Sequence, residues 1–228
     1  MIEVCVEGES DQATAWLNRY RNQKPTFACV LSFTETALIP GISAAGQTPQ
    51  ARHQPAAADG AFLVSRSATP LPHLSAGISP AVITRAILQS LGISRHLLST
   101  GLPVAISAPY IALPQVQAHS LHTGSALSLS AARALFEAGK RWGHRLALKG
   151  RYLVIGECVV GGTTTAQAVL TALGYDVTDK ISGSHIEGNH AQKRQLVQSG
   201  MSAWQQRLMS QNKDSMRVSP IEIVAAVG

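Results

Sequence analysis

The segment from Tyr152 to Gly174, YLVIGECVVGGTTTAQAVLTALG, carries the residue types best suited to chemistry. Glu157 is predicted to stand at the carboxyl end of a buried strand, where open α/β sheets bind their ligands. Gly161 and Gly162 would let the backbone approach a ligand closely, and the first amides of the following helix have no partner within the helix. These features predict a pocket for a phosphate or carboxylate group. The pocket would include the side chains of Thr163, Thr164 and Thr165.

A well-capped turn without a ligand is the competing interpretation of this segment. Neither the Gly-Lys-Ser/Thr ending of a P-loop nor the GxGxxG dinucleotide fingerprint is present. Glu157 favours a ligand, because a carboxylate at this position can bind ribose hydroxyls, as it does in nucleotide-binding folds.

A second polar segment, SGSHIEGNHAQKRQLV, supports the anion-binding hypothesis. It places cations at the start of a predicted helix, where they oppose the helix dipole at a cost of a few tenths of a kcal/mol each. A bound anion would reverse the sign of that cost. The competing interpretation is a solvated basic helix face. The loop would contribute Ser182, Ser184, His185 and Asn189, and the first helical turns His190, Lys193 and Arg194.

The composition indicates a globular chain with one sizeable core. Its 228 residues are 45% hydrophobic and only 14% charged, which excludes a disordered chain. A net charge of +6 suits an anionic partner, but the basic residues are scattered and aromatic residues make up only 5%. Nucleic-acid binding therefore ranks last among our hypotheses. The histidines show no metal-ligand spacing, and we expect neither a metal nor a cofactor.

The cysteines and the apolar runs indicate in which cellular compartment the protein is expected. Cys5, Cys29 and Cys158 show no CxxC spacing and are interpreted as reduced thiols. The N-terminus is too polar for a signal peptide, and no apolar run approaches the roughly 18 residues of a membrane helix. We therefore expect a cytoplasmic protein that has no membrane partner.

Five apolar runs are predicted to be strands of a parallel sheet, because their apolar character is continuous and does not alternate. Helical patterns lie between them, which is typical of an α/β fold. The predicted strands are Thr26–Phe33, Ala61–Val64, His96–Thr100, Arg151–Gly156 and Ile221–Val227. The long connections Pro40–Asp59 and Gly101–Gly124 are rich in Pro and Gly and are predicted to be functional or mobile.

Apolar stripes at helical spacing are predicted to face the core. One helix would have Ser79 as its N-cap and Pro80 at its first position. Its stripe comprises Val82, Ile83, Ala86, Ile87 and Leu91. A later helix has the stripe Val197, Met201, Trp204 and Leu208.

The end of the sequence suggests a fragment. The predicted strand Ile221–Val227 stops with the chain, whereas a buried strand normally returns through a loop to an element that covers it. The expected organisation is an N-terminal helical segment, residues 1–25, and an α/β nucleotide-binding domain, residues 26–228, that is incomplete at its C-terminus.

Four segments together resemble the nicotinate-nucleotide–dimethylbenzimidazole phosphoribosyltransferase superfamily, in its little-characterised phosphoribosyltransferase-like branch. They are GECVVGGTTTAQAVLTALG, TETALIPGISAAGQTP, GISPAVITRAIL and TGSALSLSAARALFEAG. The resemblance runs from about Thr26 to the C-terminus. It implies an α/β fold with a parallel, Rossmann-like sheet flanked by helices and a smaller helical portion. It also implies transfer of the 5-phosphoribosyl group of nicotinate mononucleotide to a benzimidazole-type base, a step in making the lower ligand of cobamides.

The resemblance assigns roles to individual residues. Lys193 matches a lysine that lies near the phosphate, and Ser79 with Pro80 matches the Ser-Pro opening of the helix near the base pocket. Glu157 is the one catalytic candidate, holding the ribose or stabilising positive charge. The phosphate loop of the family is matched by Glu157, Gly161, Gly162, Thr163 and Thr164.

The chain departs from the family pattern in three places. Ile87 stands where the proven transferases have a glutamine that lines the base pocket. Thr34, Glu35 and Thr36 replace an Asp-His pair at a strand end and are kept as candidate binding residues. The general-base glutamate of the family lies in a Glu-Gly-Ser-Gly-like segment, which would come after Gly228 and is expected outside this chain.

Two functions follow from the resemblance. The first is the transferase, whose partners would be small molecules, nicotinate mononucleotide and a benzimidazole-type base, with the chain expected to form a homodimer. The second is a non-catalytic nucleotide- or base-binding member that has kept the phosphate pocket and lacks the general base.

Overall fold

The apolar run TFACVLSF forms the central strand of the structure. The computed structural model describes residues 10–65, 71, 77–148, 152–183, 185, 188–211 and 218–228. Its strands are β1 (Thr26–Phe33), β2 (Ser94–Ser99), β3 (Ile111–Ala112) and β4 (Leu153–Val160). All pairs are parallel, and the order within the described residues is β3-β2-β1-β4. Thr26 pairs with both Ser94 and Leu153, so β1 has a partner on each side and β4 is an edge strand of this sheet.

Helices make up most of the remaining structure. In chain order they are α1 (Ser10–Tyr20), α2 (Pro55–Val64), α3 (Ala81–Ser90), α4 (Leu129–Ala147), α5 (Gly162–Ala172), α6 (His190–Ser210) and α7 (Pro220–Val227). Helix α1 lies within residues 1–25, while the division of the chain at residue 26 stays a prediction.

Both faces of the sheet are covered by helices. Because successive strand residues point to opposite faces, Leu31 packs with Leu63 of α2 and Leu88 of α3. Ala28 packs on the other side with Leu146 of α4. The predicted α/β class, with a parallel sheet flanked by helices, is confirmed.

Helices α5, α6 and α7 form the smaller helical portion around Trp204. The predicted stripe of α6 belongs to this core, since Val197, Trp204 and Leu208 are buried and Met201 packs against them. Gly200 of α6 lies directly against a neighbouring turn. A Cβ atom at Gly200 would be 2.5 Å from the carbonyl oxygen of Leu121.

The predicted strand Ala61–Val64 is wrong, because these residues form the second half of α2. Pro55 occupies the first position of that helix, which suits proline, and the alanines that follow it are strong helix formers. A four-residue apolar run has the character of a buried strand and of a buried helix alike.

The prediction of a strand over Ile221–Val227 is also wrong, because these residues form most of helix α7. Ser219 and Glu222 form a capping box at its start, and Pro220 takes the first position. These are sequence signatures of a helix N-terminus, and they outweigh the β-branched character of the run.

The remaining strand predictions differ from the structure in their bounds. Strand β2 covers Ser94–Ser99 where His96–Thr100 was expected, and β4 continues four residues beyond Gly156 to Val160, so Glu157 lies within the strand. Arg151 lies outside the described residues. Strand β3, two residues long, falls inside the predicted loop Gly101–Gly124.

The predicted core stripe of α3 is wrong as well. Helix α3 turns Ala81 and Leu88 toward the sheet, with 7% and 4% of their surface exposed. The predicted residues instead face outward: Val82, Ile83, Ala86, Ile87 and Leu91 are all exposed. Periodicity identifies an apolar stripe without identifying what covers it.

None of the helices within the described residues combines the length and the apolar character required to cross a bilayer.

Candidate functional site

The candidate site that the sequence predicts lies where β4 ends and α5 begins. Gly161 links the two elements with φ of +81°, a conformation that L side chains rarely adopt. A Cβ atom at Gly161 would also lie 3.1 Å from the backbone nitrogen of Ala37. Gly161, Gly162 and Thr163 line a cavity of about 200 Å³. Since the first amides of a helix lack intrahelical partners, this cavity borders backbone groups that suit an anion.

Two more cavities, of about 400 and 340 Å³, share lining residues with the first. Val159 lines all three, and Glu157 lines the two larger ones. A Cβ atom at Gly162 would lie 3.5 Å from Glu157 Oε2, so the carboxylate reaches the first residue of α5. Partial burial raises the pKa of Glu157, and a hydrogen bond with the backbone of Val159 opposes that shift. The carboxylate can therefore meet sugar hydroxyls or positive charge beside the anion position.

Buried polar atoms without a hydrogen-bond partner cluster at the beginning of α5. Among the described residues they include Thr164 Oγ1, Thr165 Oγ1 and Gln167 Oε1. Thr164 exposes 0% of its surface and Gln167 exposes 3%. Buried polar groups are normally satisfied, and leaving one alone costs about 1–3 kcal/mol. These atoms can form hydrogen bonds with a bound ligand or with buried water.

Lys193 holds a buried cation at the start of α6. Only 1% of the residue is exposed, and its ammonium donates to the carbonyl oxygens of Ser182 at 2.9 Å and Ile181 at 3.4 Å. Burial lowers the pKa of Lys193. No carboxylate of the described part of the chain forms an ion pair with it. Because an ammonium has three N–H donors, Lys193 can donate a further hydrogen bond to an anion.

Asn189 connects the start of α6 to a wall of the 200 Å³ cavity. Its Nδ2 donates to the carbonyl oxygens of Gly41 at 3.1 Å and Ile42 at 3.0 Å, and Ile42 lines the cavity. Its Oδ1 is buried without a partner. A Cβ atom at Gly183 would be 2.8 Å from Lys193 Nζ and 3.5 Å from Asn189 Oδ1, so the two groups lie close together. Lys193 itself does not line the 200 Å³ cavity.

The other residues of the second polar segment differ in position. His185 Nε2 is buried without a hydrogen-bond partner, like Asn189 Oδ1. Arg194 forms an ion pair with Asp179, and His190 Nδ1 lies 4.0 Å from the same carboxylate. These two side chains are thus directed to a carboxylate of the chain. Ser184 lies outside the described residues.

Arg52 stabilises the loop that borders the site, and this role of Arg52 was not predicted from the sequence. Its guanidinium is buried and donates to the carbonyl oxygens of Ala37 at 2.8 Å, Ile39 at 2.8 Å and Gly46 at 3.3 Å. Burial lowers its pKa. The predicted functional loop after Pro40 is therefore fixed by a buried cation. No motif in the sequence indicates this, because the partners are backbone oxygens.

Asp59 is a second residue that sequence reasoning missed. It lies on α2 and lines both the 200 Å³ and the 340 Å³ cavities. The hydroxyl of Ser79 donates to its Oδ1 at 2.7 Å, and the thiol of Cys158 to its Oδ2 at 3.5 Å. Ser79, predicted near the base pocket, is thus a partner of this carboxylate. The available signal was a single acid within the apolar run PAAADGAFLV.

Most contacts of Thr34, Glu35 and Thr36 are with other residues of the chain and not with the cavities. Thr34 and Thr36 are buried and bond to each other at 3.1 Å, and Thr36 Oγ1 also accepts from the amide of Leu121 at 3.0 Å. Thr34 does line the 400 Å³ cavity. Glu35 pairs with His119 at 3.2 Å on the surface. Ile87 is 50% exposed and lines none of the three cavities.

Among the residues that the structure describes, no three His, Cys, Asp or Glu side chains lie close enough together to share a metal ion.

The stability of Asp59→Asn is expected to depend on pH differently from that of the wild type. Burial raises the pKa of Asp59 above its ordinary 3.8, against the opposing hydrogen bonds from Ser79 and Cys158. The folded state therefore holds this proton more tightly than the unfolded state, and the stabilisation is lost as pH rises through the folded pKa. Asn lacks this titration. In urea denaturation, the stability of Asp59→Asn minus that of the wild type should increase from pH 4 to pH 7. A difference that stays constant with pH would contradict the shift.

The chain resembles known proteins in sequence. The model of a family described as phosphoribosyltransferase matches residues 91–228. A UPF0284 protein of Rippkaea orientalis is 45% identical over 234 residues, covering 100% of this chain and 62% of that protein. A UPF0284 protein of a Cyanothece species is 46% identical over 220 residues, covering 95% and 58%. The chain thus spans about three fifths of the length of these curated relatives.

Two solved structures from Thermus thermophilus share the fold. One is CobT, with a TM-score of 0.63 and 19% identity, covering 91% of this chain and 55% of that one. The other is a nicotinate-nucleotide–dimethylbenzimidazole phosphoribosyltransferase, with a TM-score of 0.59 and 20% identity, covering 90% and 54%. Because the family model matches more than half of the chain, the chain belongs to the nicotinate-nucleotide–dimethylbenzimidazole phosphoribosyltransferase family.

Proposed function

We propose that this chain binds nicotinate mononucleotide and takes part in transferring its 5-phosphoribosyl group to a benzimidazole-type base. The observation that supports this most is the cluster of buried, unpartnered polar atoms at the starts of α5 and α6. The phosphate would take hydrogen bonds from the first amides of α5 and from the hydroxyl of Thr164. The ammonium of Lys193 would supply the compensating charge.

The proposed reaction suits the groups that surround the cavities. Nicotinate leaves as a neutral pyridine ring from a cationic pyridinium, so its departure needs no general acid. The sugar passes through a state that resembles an oxocarbenium ion, and the carboxylate of Glu157 can stabilise that positive charge. Binding of the phosphate away from the reacting carbon supplies energy that positions the sugar.

The reaction can be separated from binding alone. Nicotinate release would be measured with nicotinate mononucleotide and a series of benzimidazoles and purines. Release that depends on the added base supports the transferase. Protection by the nucleotide without release supports the non-catalytic binding member.

Thr164→Val is expected to change stability and ligand binding in opposite directions. The substitution removes a buried hydroxyl without a partner, so the unliganded protein should melt at a higher temperature. The same hydroxyl would contact the phosphate, so affinity for nicotinate mononucleotide should fall about tenfold. Thermal melting with increasing nucleotide measures both effects. The control is Thr171→Val near the other end of α5. If the nucleotide raises the melting temperature of both variants equally, the proposed phosphate position is contradicted.

A homodimer is also proposed, and the exposed apolar stripe of α3 favours it. Ile83 and Ile87 expose 68% and 50% of their surface one turn apart, and a two-fold axis would place the stripe against its own copy. Light scattering should give twice the chain mass for the wild type and a smaller mass for Ile83→Glu with Ile87→Glu. Gln89→Glu on the same helix is the control. A monomeric wild type would refute this proposal.

A cytoplasmic location is part of the proposal as well. Cys29 and Cys158 are free thiols in the structure, which suits a reducing compartment.

A further inference from the structure

Asp59 is placed to recognise an occupant of the 340 Å³ cavity. This cavity is within the usual size range of small-molecule sites, roughly 300–1,000 Å³. Its walls are largely apolar, with Phe27, Leu63 and Ala81 among them. Asp59 also borders the 200 Å³ cavity at the start of α5, so it lies between that cavity and the apolar one.

The hydrogen bonds of Asp59 leave room for a further donor. A carboxylate can accept about four hydrogen bonds, and two donors are seen, the Ser79 hydroxyl and the Cys158 thiol. A thiol is a weak donor, and burial raises the pKa of Cys158, which keeps the proton on its sulfur. Within the described part of the chain, no Lys, Arg or His forms an ion pair with Asp59.

The second carboxylate of the cavity restricts the charge of the occupant. Glu157 lines the same 340 Å³ space, so an anion entering it would meet two acidic groups. A flat, apolar molecule that is neutral or cationic and carries an N–H group fits both the walls and the acceptors.

We propose that Asp59 accepts a hydrogen bond from the ring N–H of the acceptor base, and that it thereby selects heteroaromatic bases that have such a group. This inference rests on the proposed function. Asp59 would be a specificity-determining residue of the acceptor cavity, held in place by the buried hydroxyl of Ser79 at 2.7 Å.

The test compares two probes that differ only at the ring nitrogen, benzimidazole and 1-methylbenzimidazole. Binding to the wild type, Asp59→Asn and the surface control Glu137→Gln would be measured by calorimetry. The wild type and the control should bind benzimidazole about tenfold more tightly than the methylated probe, the effect of one charge-assisted hydrogen bond. Asp59→Asn should lose about that factor for benzimidazole and little for 1-methylbenzimidazole.

Three results would overturn the inference: no benzimidazole binding by the wild type, equal binding of the two probes, or unchanged discrimination in Asp59→Asn. The wild-type comparison does not depend on how well the variant folds, and melting curves show whether it folds. Nicotinate mononucleotide is titrated on the same samples. If the nucleotide binds but the two probes bind equally, only the role of Asp59 is refuted. If the two probes bind with different affinity but the nucleotide does not bind, the proposed phosphate site is refuted.

Discussion

Gly200→Ala is expected to lower the free energy of unfolding by about 2–3 kcal/mol, the usual cost of overpacking a close contact. The added methyl group would be 2.5 Å from the carbonyl oxygen of Leu121. Backbone atoms cannot rotate aside as a flexible side chain can, so α6 or the turn at Leu121 must shift. That shift would disturb the core around Trp204, where α5, α6 and α7 meet.

Gly139→Ala is the matched control for this prediction. Gly139 is also helical, in α4, but nothing lies within 4 Å of an added Cβ atom there. Alanine should raise stability at Gly139 by roughly 0.5–1 kcal/mol, because glycine is a poor helix former. Urea denaturation measures both variants. Equal effects of the two substitutions would show that α6 does not pack as closely as described.

Lys193→Met is expected to weaken the binding of nicotinate mononucleotide by about 30-fold, or about 2 kcal/mol, the lower end for breaking a buried charge pair. Methionine keeps most of the side-chain volume and removes the ammonium. Because burial lowers the pKa of Lys193, the charge is costly without a ligand, and an anion would offset that cost. Calorimetric titration with the nucleotide gives the affinity.

Lys180→Met is the control for Lys193→Met. Lys180 lies just before the same loop, but it is exposed and pairs with Asp176 at 3.1 Å. Its loss should leave the affinity unchanged. If both variants bind the nucleotide as the wild type does, the buried ammonium has no part in phosphate binding.

The proposed phosphate end of the site was predicted from signals that are local in the sequence. Glu157, Gly161 and Thr164 follow one another in eight residues, and helix geometry alone defines what the amides of such a turn can bind. Lys193 was predicted from its position in a predicted helix and from the family resemblance. What the sequence did not predict is that carbonyl oxygens of the 181–182 segment hold its ammonium.

The proposed acceptor end could not be predicted, because it depends on contacts between distant segments. Asp59 meets Ser79 across 20 positions and Cys158 across 99. Its placement also requires α2, a segment that was predicted to be a loop followed by a strand. The prediction that the α3 stripe faces the core was wrong for a related reason. Val82 and Ile83 indicate an apolar helix face, but the sequence does not show which neighbour covers that face.

The pairing of β1 has a consequence for synthesis of the chain. Its partner β4 lies about 130 residues later, since Thr26 pairs with Leu153. At about 5–20 residues per second, translation needs roughly 6–25 s to supply that partner. During this interval one side of the most buried strand remains unpaired outside the ribosome. Contacts between such distant segments fold slowly, so chaperones that shield nascent chains should raise the yield of native protein during expression.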